Sequence, residues 1–186
     1  DKAQQYLDIA GVIFVVLNPQ GEVTLINQKG CEILGYNRSF ILGKNWFDHF
    51  LPERDRETVK TVFKQIVEDQ LKAVEYFENA ILTMNGEEKI IAWHNSLLKD
   101  EAGTITAILS SGTDITEQKR EEKVYATQLE LIKYSDEHSM KKLLQRFLDE
   151  AEILTGSEIG FYHFVEDDQT TLSLQTWSTN TLSNMC

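Results

Sequence analysis

Residues 12–17 read Val-Ile-Phe-Val-Val-Leu, a β-branched and aromatic run, and residues 23–26 read Val-Thr-Leu-Ile, a second run of the same kind. Between them stands Asn18-Pro19-Gln20-Gly21. Proline presets the backbone for the second position of a type I turn, and glycine suits the fourth. Two such runs joined by so short a turn predict a β-hairpin, so the chain opens on antiparallel structure.

The next stretch changes character. Asn27 is placed to cap a short helix carrying Cys31, Ile33 and Leu34, with Gly35 to end it. Asn37 is placed to cap a second short helix through Leu42, closed by Gly43. A third, from Asn45 to Leu51, must stop because Pro52 disfavours helical geometry in the residue before it. Beyond it, Val59, Val62, Phe63, Ile66 and Val67 recur at i, i+3, i+4, i+7 and i+8, one apolar stripe on a charged helix. Three strand candidates follow: Val74 to Met84, Lys89 to Leu98 and Thr104 to Thr113. Asn85-Gly86 predicts a two-residue hairpin between the first two, and residues 99–103 form a polar turn before the third. The economical way to bury these elements is an α+β fold, a five-stranded antiparallel sheet covered on one face by helices.

After Asp114-Ile115-Thr116 the composition shifts. Residues 117–137 are rich in Glu, Lys, Gln and Arg, with Glu122, Tyr125, Leu129 and Ile132 spaced 3-4-3. That spacing suits a helix seeking a partner, with a merely solvated helix as the alternative. A second amphipathic helix carries Met140, Leu143, Phe147, Ala151 and Leu154 and ends at Gly156. Ile159 to Val165 is expected to pair with Leu172 to Trp177 across residues 166–169, and Thr181-Leu182 starts a further element.

Charge narrows the function classes. The net charge of −12, from 30 acidic against 18 basic residues, repels phosphate backbones and anionic lipid headgroups. The longest apolar run, Ile9 to Leu17, is nine residues, against the ~20 a membrane helix needs. No charged segment followed by an apolar one opens the chain, so no signal peptide is expected. The first residue is Asp rather than Met, which suggests a piece of a longer protein. Cys31 and Cys186 are too few and too far apart for a disulfide framework or a metal site, and a cytoplasmic location is expected. No nucleophile–base pairing, phosphate-binding glycine loop or metal cluster is legible, so the chain is not expected to be an enzyme.

The element order, with particular words at particular places, resembles the PAS family. Those words are Ile26-Asn27-Gln28-Lys29-Gly30-Cys31, Leu34-Gly35-Tyr36 and Leu42-Gly43-Lys44-Asn45-Trp46, then Trp93-His94-Asn95 and Asp114-Ile115-Thr116-Glu117. The resemblance implies a PAS domain over residues 1–116 and a helical signalling linker over 117–137. Residues 138–186 resemble the start of a GAF domain as found in sensor histidine kinases, on Leu154-Thr155-Gly156-Ser157-Glu158-Ile159-Gly160-Phe161 and Leu172-Ser173-Leu174-Gln175-Thr176-Trp177-Ser178. Most of the GAF sheet would then be missing from this chain, leaving strand edges unpaired. The implied role is the sensory input of a two-component signalling protein, homodimeric through the PAS domain and linker helix, with a downstream kinase as output. His138, in Asp136-Glu137-His138-Ser139, is read as a surface helix residue because Met140-Lys141-Lys142 does not continue a phospho-acceptor pattern.

Which ligand the resemblance implies is settled mainly by exclusion. A flavin photosensor needs a reactive cysteine in the third short helix, and Asn45-Trp46-Phe47-Asp48-His49-Phe50 has no sulfur. A coumarate photosensor needs one near the same place, and Cys31, in another helix, reads as a small core residue. Haem usually takes an axial histidine from the long helix. Residues 53–70 contain none, which leaves only His49, whose ordinary reading is an exposed or core-capping side chain. An unidentified small metabolite remains as the expected ligand. By period-2 alternation Ile108, Ser110 and Gly112 share one strand face, as do Trp93, Asn95 and Leu97. With Trp46, Phe47, Phe63 and Ile66 as a helical wall, Asn95 and Ser110 become polar groups among apolar ones. Buried, they need partners from backbone, water or ligand. The alternative is a core that simply fills itself, making the chain a ligand-free dimerisation and relay module. Asp114 and Thr116 are the expected signal-relay residues: Asp114 accepts from the backbone opening the outgoing helix or pairs with a basic residue on the sheet.

Overall fold

The computed structural model describes residues 2–68 and 76–184. The chain divides into two compact units, Asp1–Glu117 and Gln118–Cys186. In the first, α1 (Lys2–Ile9) precedes β1 (Ile13–Leu17) and β2 (Val23–Ile26). Four helices follow: α2 (Gln28–Leu34), α3 (Arg38–Ile41), α4 (Trp46–Phe50) and α5 (Glu53–Val67). Then come β3 (Tyr76–Leu82), β4 (Glu88–Lys99) and β5 (Ile105–Asp114). The five strands form one antiparallel sheet in the order β2-β1-β5-β4-β3, so the first and last hairpins meet at the central strand β5.

Local chemistry fixes the first short helix as the sequence predicts, whereas Asn37 stands at the N-cap of α3 but its side chain makes no capping hydrogen bond. The Asn27 side chain accepts from Gly30 N, and Gly35 ends α2 in the left-handed region at φ 78°. Asn45 caps α4 through Phe47 N and Asp48 N. α2 packs on β1, α3 on β2 and α4 on β3, and their buried side chains join a core of Ile13, Val15, Leu34, Trp46, Phe50 and Trp93 among others.

Three features depart from the sequence reading. The first is α1, which no periodicity announced. It is tied down by residues far along the chain: Asp8 pairs with Arg38 at 2.7 Å and accepts from Gln28 N. The second is the connection at Asn85-Gly86. It spans residues 83–87 rather than two, because only Gly86 takes a positive φ whereas a two-residue type I′ turn needs it at both positions. Instead Gly86 N donates to Thr83 O, and Thr83 N to Glu87 O. Third, the strand expected from Val74 is seen from Tyr76, and its first residues lie outside the described residues, as does Cys186.

The second unit holds most of α6 (Thr116–Glu137), then α7 (Met140–Thr155), the hairpin β6 (Phe161–Val165) with β7 (Leu172–Trp177), and α8 (Thr179–Asn184). Gly156 closes α7 in the left-handed region. The buried side of α7 differs from the stripe read in the sequence. Leu148 and Glu152 are buried while Met140 and Phe147 are exposed, because the hydroxyls of Ser178 and Thr181 hold the Glu152 carboxylate and turn that face inward. His138 lies in the bend between α6 and α7 rather than within a helix, half-buried, its ring stacked 3.7 Å from Tyr134.

Candidate functional site

The inner face of the sheet is built in three rungs. Register places Ile13, Gly112 and Trp93 on the first, Val15, Ser110 and Asn95 on the second, and Leu17, Ile108 and Leu97 on the third. Their alternate neighbours His94, Ser96 and Leu98 are exposed, as period-2 geometry requires. All the sheet residues singled out in the sequence therefore lie on one face. Ile108 and Ser110 are buried, and Asn95 and Leu97 are half-buried.

The first rung is set by Trp93. Its indole lies over Gly112, where a side-chain methyl would fall 2.5 Å from Cζ3. Trp93 Nε1 donates to Asn79 Oδ1 at 2.6 Å, and Trp46 of α4 meets it edge-on with ring centroids 5.7 Å apart. Phe47 packs on Phe63 of α5 at 4.9 Å, which joins the two helices of the wall. Trp46, Phe47 and Trp93 belong to the contiguous core with Phe63 packed against it, whereas Ile66 and Ile108 are buried outside that cluster. The Asn79 anchor was not legible in the sequence: it depends on the β3–β4 register, which the Asn85-Gly86 signal misplaces.

The second rung answers the question of partners for its polar groups. Ser110 Oγ donates to Asn95 Oδ1 at 2.6 Å, across directly opposed positions. The pair forms a polar band between two apolar rungs. Asn27 is a further buried polar residue, fully enclosed, and its role exceeds the cap read from the sequence. Its Oδ1 accepts from Phe14 N and Gly30 N, and its Nδ2 donates to Leu7 O and Val12 O. One side chain thus locks α1, β1 and α2 together.

A PAS-domain family model matches residues 11–117, more than half the chain. The chain belongs to the PAS family. Solved structures agree on the fold. A sensory box histidine kinase/response regulator from Burkholderia thailandensis superposes with a TM-score of 0.54 at 19% identity, covering 72% of this chain and 99% of that one. The PAS domain of a Colwellia psychrerythraea protein gives 0.53 at 19%, covering 62% and 96%. That of an HTR-like protein from Haloarcula marismortui gives 0.50 at 22%, covering 61% and 89%. No curated protein is similar enough to the chain to count as a match.

At the exit of the PAS domain, Asp114 does both things its position allows. Its Oδ1 accepts from Thr116 N at 3.0 Å and from Thr116 Oγ1 at 2.5 Å, and its Oδ2 lies 3.6 Å from Lys89 Nζ on β4. The Thr116 hydroxyl in turn accepts from Ile90 N at 2.9 Å, and Ile115 N donates to Ile90 O. Burial alone would raise the Asp114 carboxyl. The Thr116 hydroxyl and amide, with Lys89, outweigh it and hold the group below the usual aspartate value. The first turn of α6 is therefore stitched to both β4 and β5.

The residues weighed for cofactors fall elsewhere. His49 lies on the exposed side of α4, with Nδ1 3.0 Å from Asn45 O, while Trp46, Phe47 and Phe50 of the same helix face the core. Cys31 is buried in α2, and burial pushes its thiol up against the opposing pull of Arg38. Among the described residues no helix is long and apolar enough to cross a membrane, and no cluster of three or more His, Cys, Asp or Glu is placed to hold a metal ion.

Proposed function

We propose that the chain is the sensory input module of a signal-transduction protein, in which a small ligand is sensed at the inner face of the PAS sheet and the change leaves through α6. The observation that carries this reading is the double use of β5. Ser110 lies on its inner face, and four residues on Asp114 anchors the first turn of the outgoing helix. A ligand that competes for the Ser110–Asn95 hydrogen bond moves a strand already tied to that helix. Ligand, wall and relay then share one element.

A second reading, a ligand-free dimerisation and relay module, is favoured by one observation: the Ser110 hydroxyl already has a protein acceptor, Asn95 Oδ1. In either reading the chain has no catalytic role, and dimerisation runs through the PAS domain and α6, whose Tyr125, Leu129 and Ile132 are exposed at coiled-coil spacing. The second unit is the opening of a GAF-type domain in this reading. Its hairpin exposes Phe161, Phe164, Val165, Leu172 and Leu174, apolar surface that further strands would cover. The downstream output is a histidine kinase, as the PAS–GAF order implies, and the protein is cytoplasmic.

Native mass spectrometry of the purified chain, with its absorption spectrum from ~300 to 700 nm, tests the choice. A mass above that of the polypeptide with no visible absorption supports a colourless metabolite, and its loss in Ser110→Val places it at the polar rung. A bare polypeptide mass that no metabolite raises supports the relay module. A Soret band overturns both and returns haem to His49.

A further inference from the structure

The interior between the PAS sheet and its helical wall is not closed along its whole length. Val59 and Phe63 of α5 pack against the core but stay half-buried, and of that helix only Ile66 is buried. On the sheet, Asn95 and Leu97 are half-buried as well, whereas Ser110 and Ile108 opposite them are 7% and 4% exposed. The contiguous core takes in Leu17 from the third rung but neither Ile108 nor Ile66. An apolar patch, Ile108 with Leu97, thus lies beyond the polar rung and outside the core.

The three rungs carry no ionisable side chain. At one end of the face Lys89 and Asp114 pair with each other at 3.6 Å, and at the other Lys99 is exposed beyond a register shift. The cations of α5 are engaged elsewhere: Arg54 with Glu88, Lys60 with Asp48, Lys64 with Glu68, and Arg56 Nε with Leu51 O. A charged ligand lying on the rungs would lose its water and meet no counter-ion, which is costly. Trp93 Nε1 and Asn79 Oδ1 already serve each other, so the polar chemistry that the rungs offer a ligand is the Ser110–Asn95 pair.

That pair selects by hydrogen-bond type. A hydroxyl has one donor and two acceptor lone pairs. One that enters between Ser110 Oγ and Asn95 Oδ1, which lie 2.6 Å apart, accepts from Ser110 and donates to Asn95 in its place. Both residues keep their hydrogen bonds, and no charge is buried. A carboxylate or an ether has no proton for Asn95 Oδ1, and an ammonium brings a charge with no carboxylate to meet it. We propose, resting on the sensory reading above, that the ligand sensed at this face is a neutral alcohol, its hydroxyl inserted between Ser110 and Asn95 and its apolar body on Ile108 and Leu97. Insertion lengthens the side-chain link between β4 and β5, and β5 is the strand that carries Asp114.

The test titrates four probes of one size, 1-hexanol, 1-methoxypentane, sodium hexanoate and hexylammonium chloride, into the ¹⁵N-labelled full chain and follows the amides of Asn95, Leu97, Ile108 and Ser110. Saturable shifts are expected with hexanol, at an affinity about tenfold or more above that of each other probe, as one hydrogen bond or an unpaired charge requires. The double variant S110A/N95L removes both polar partners and should erase the preference for hexanol over the ether. A charged probe or an ether that binds as tightly as hexanol overturns the alcohol and leaves ligand sensing standing, as does a preference that survives in the double variant. No saturable shift with any probe also overturns the alcohol, and the native mass of the chain then decides the sensory reading separately. The ranking in the parent chain is decisive by itself if the double variant does not fold.

Discussion

Replacing Gly112 with alanine tests whether the first rung is as tightly fixed as its geometry implies. The added methyl would lie 2.5 Å from Trp93 Cζ3 and 2.7 Å from Trp93 Cε3 and Ile91 Cγ2, distances that real carbon atoms do not tolerate. The indole has little room to retreat, because Asn79 holds its Nε1 at 2.6 Å and Trp46 abuts it. Inserting a methyl into a packed core costs about 1–3 kcal/mol, and losing the Trp93–Asn79 hydrogen bond adds about 1 kcal/mol. Gly112→Ala should therefore destabilise the PAS unit by about 2–4 kcal/mol, a fall in Tm of roughly 8–15 °C for a domain of this size. Urea titration followed by tryptophan fluorescence reads the change. In a Trp93→Leu background the obstructing ring is gone, and the cost of Gly112→Ala should shrink by at least about 1 kcal/mol, a non-additivity expected of residues in contact. A Gly112→Ala protein within about 0.5 kcal/mol of the parent, or a cost undiminished by Trp93→Leu, would mean that the indole does not fix the first rung.

Removing the Nε1 acceptor alone, by Asn79→Ala, should cost about 1–2 kcal/mol in the same titration and shift the Trp93 emission. Asn27→Ala leaves two amides and two carbonyls without their side-chain partner and should cost about 3 kcal/mol or more by thermal melting. Asn27→Asp keeps the acceptor but loses both donations, to Leu7 O and Val12 O, so it should not restore parental stability. The Asp114 carboxyl lies below its ordinary value in the fold, so the unfolded chain binds its proton first as pH falls. The stability difference between the parent and Asp114→Ala should thus be constant above about pH 5 and shrink below about pH 4, the ordinary aspartate range. A difference that grows on acidification contradicts that sign.

How far the sequence carries the argument depends on how local the deciding interaction is. Asn18-Pro19-Gln20-Gly21, the Asn27 cap and the Gly35 and Gly156 stops act within four residues, and the structure follows each; Asn37 is the exception, at the N-cap of α3 with no capping hydrogen bond. The inner-face alternation of Trp93, Asn95, Leu97 and Ile108, Ser110, Gly112 was equally legible, because strand period does not depend on partners. That Ser110 bonds Asn95 needed the β4–β5 register, which residues 99–103 fix only in three dimensions. The helix α1 and the Asn79 anchor rest on contacts made across long stretches of chain, to Arg38 in one case and Trp93 in the other. Glu152 was hidden for another reason. A glutamate beside a helical apolar stripe reads as solvated, and only the hydroxyls of Ser178 and Thr181, on a different element, bring it inside.

The polar rung and the first turn of α6 should respond together through β5. Hydrogen–deuterium exchange of the parent and Ser110→Val, which removes the donor to Asn95, tests it directly. Exchange should quicken in β5 and in residues 116–120 of α6, with the amides of α2 unchanged. Faster exchange in β5 with α6 left at its parental rate would contradict it.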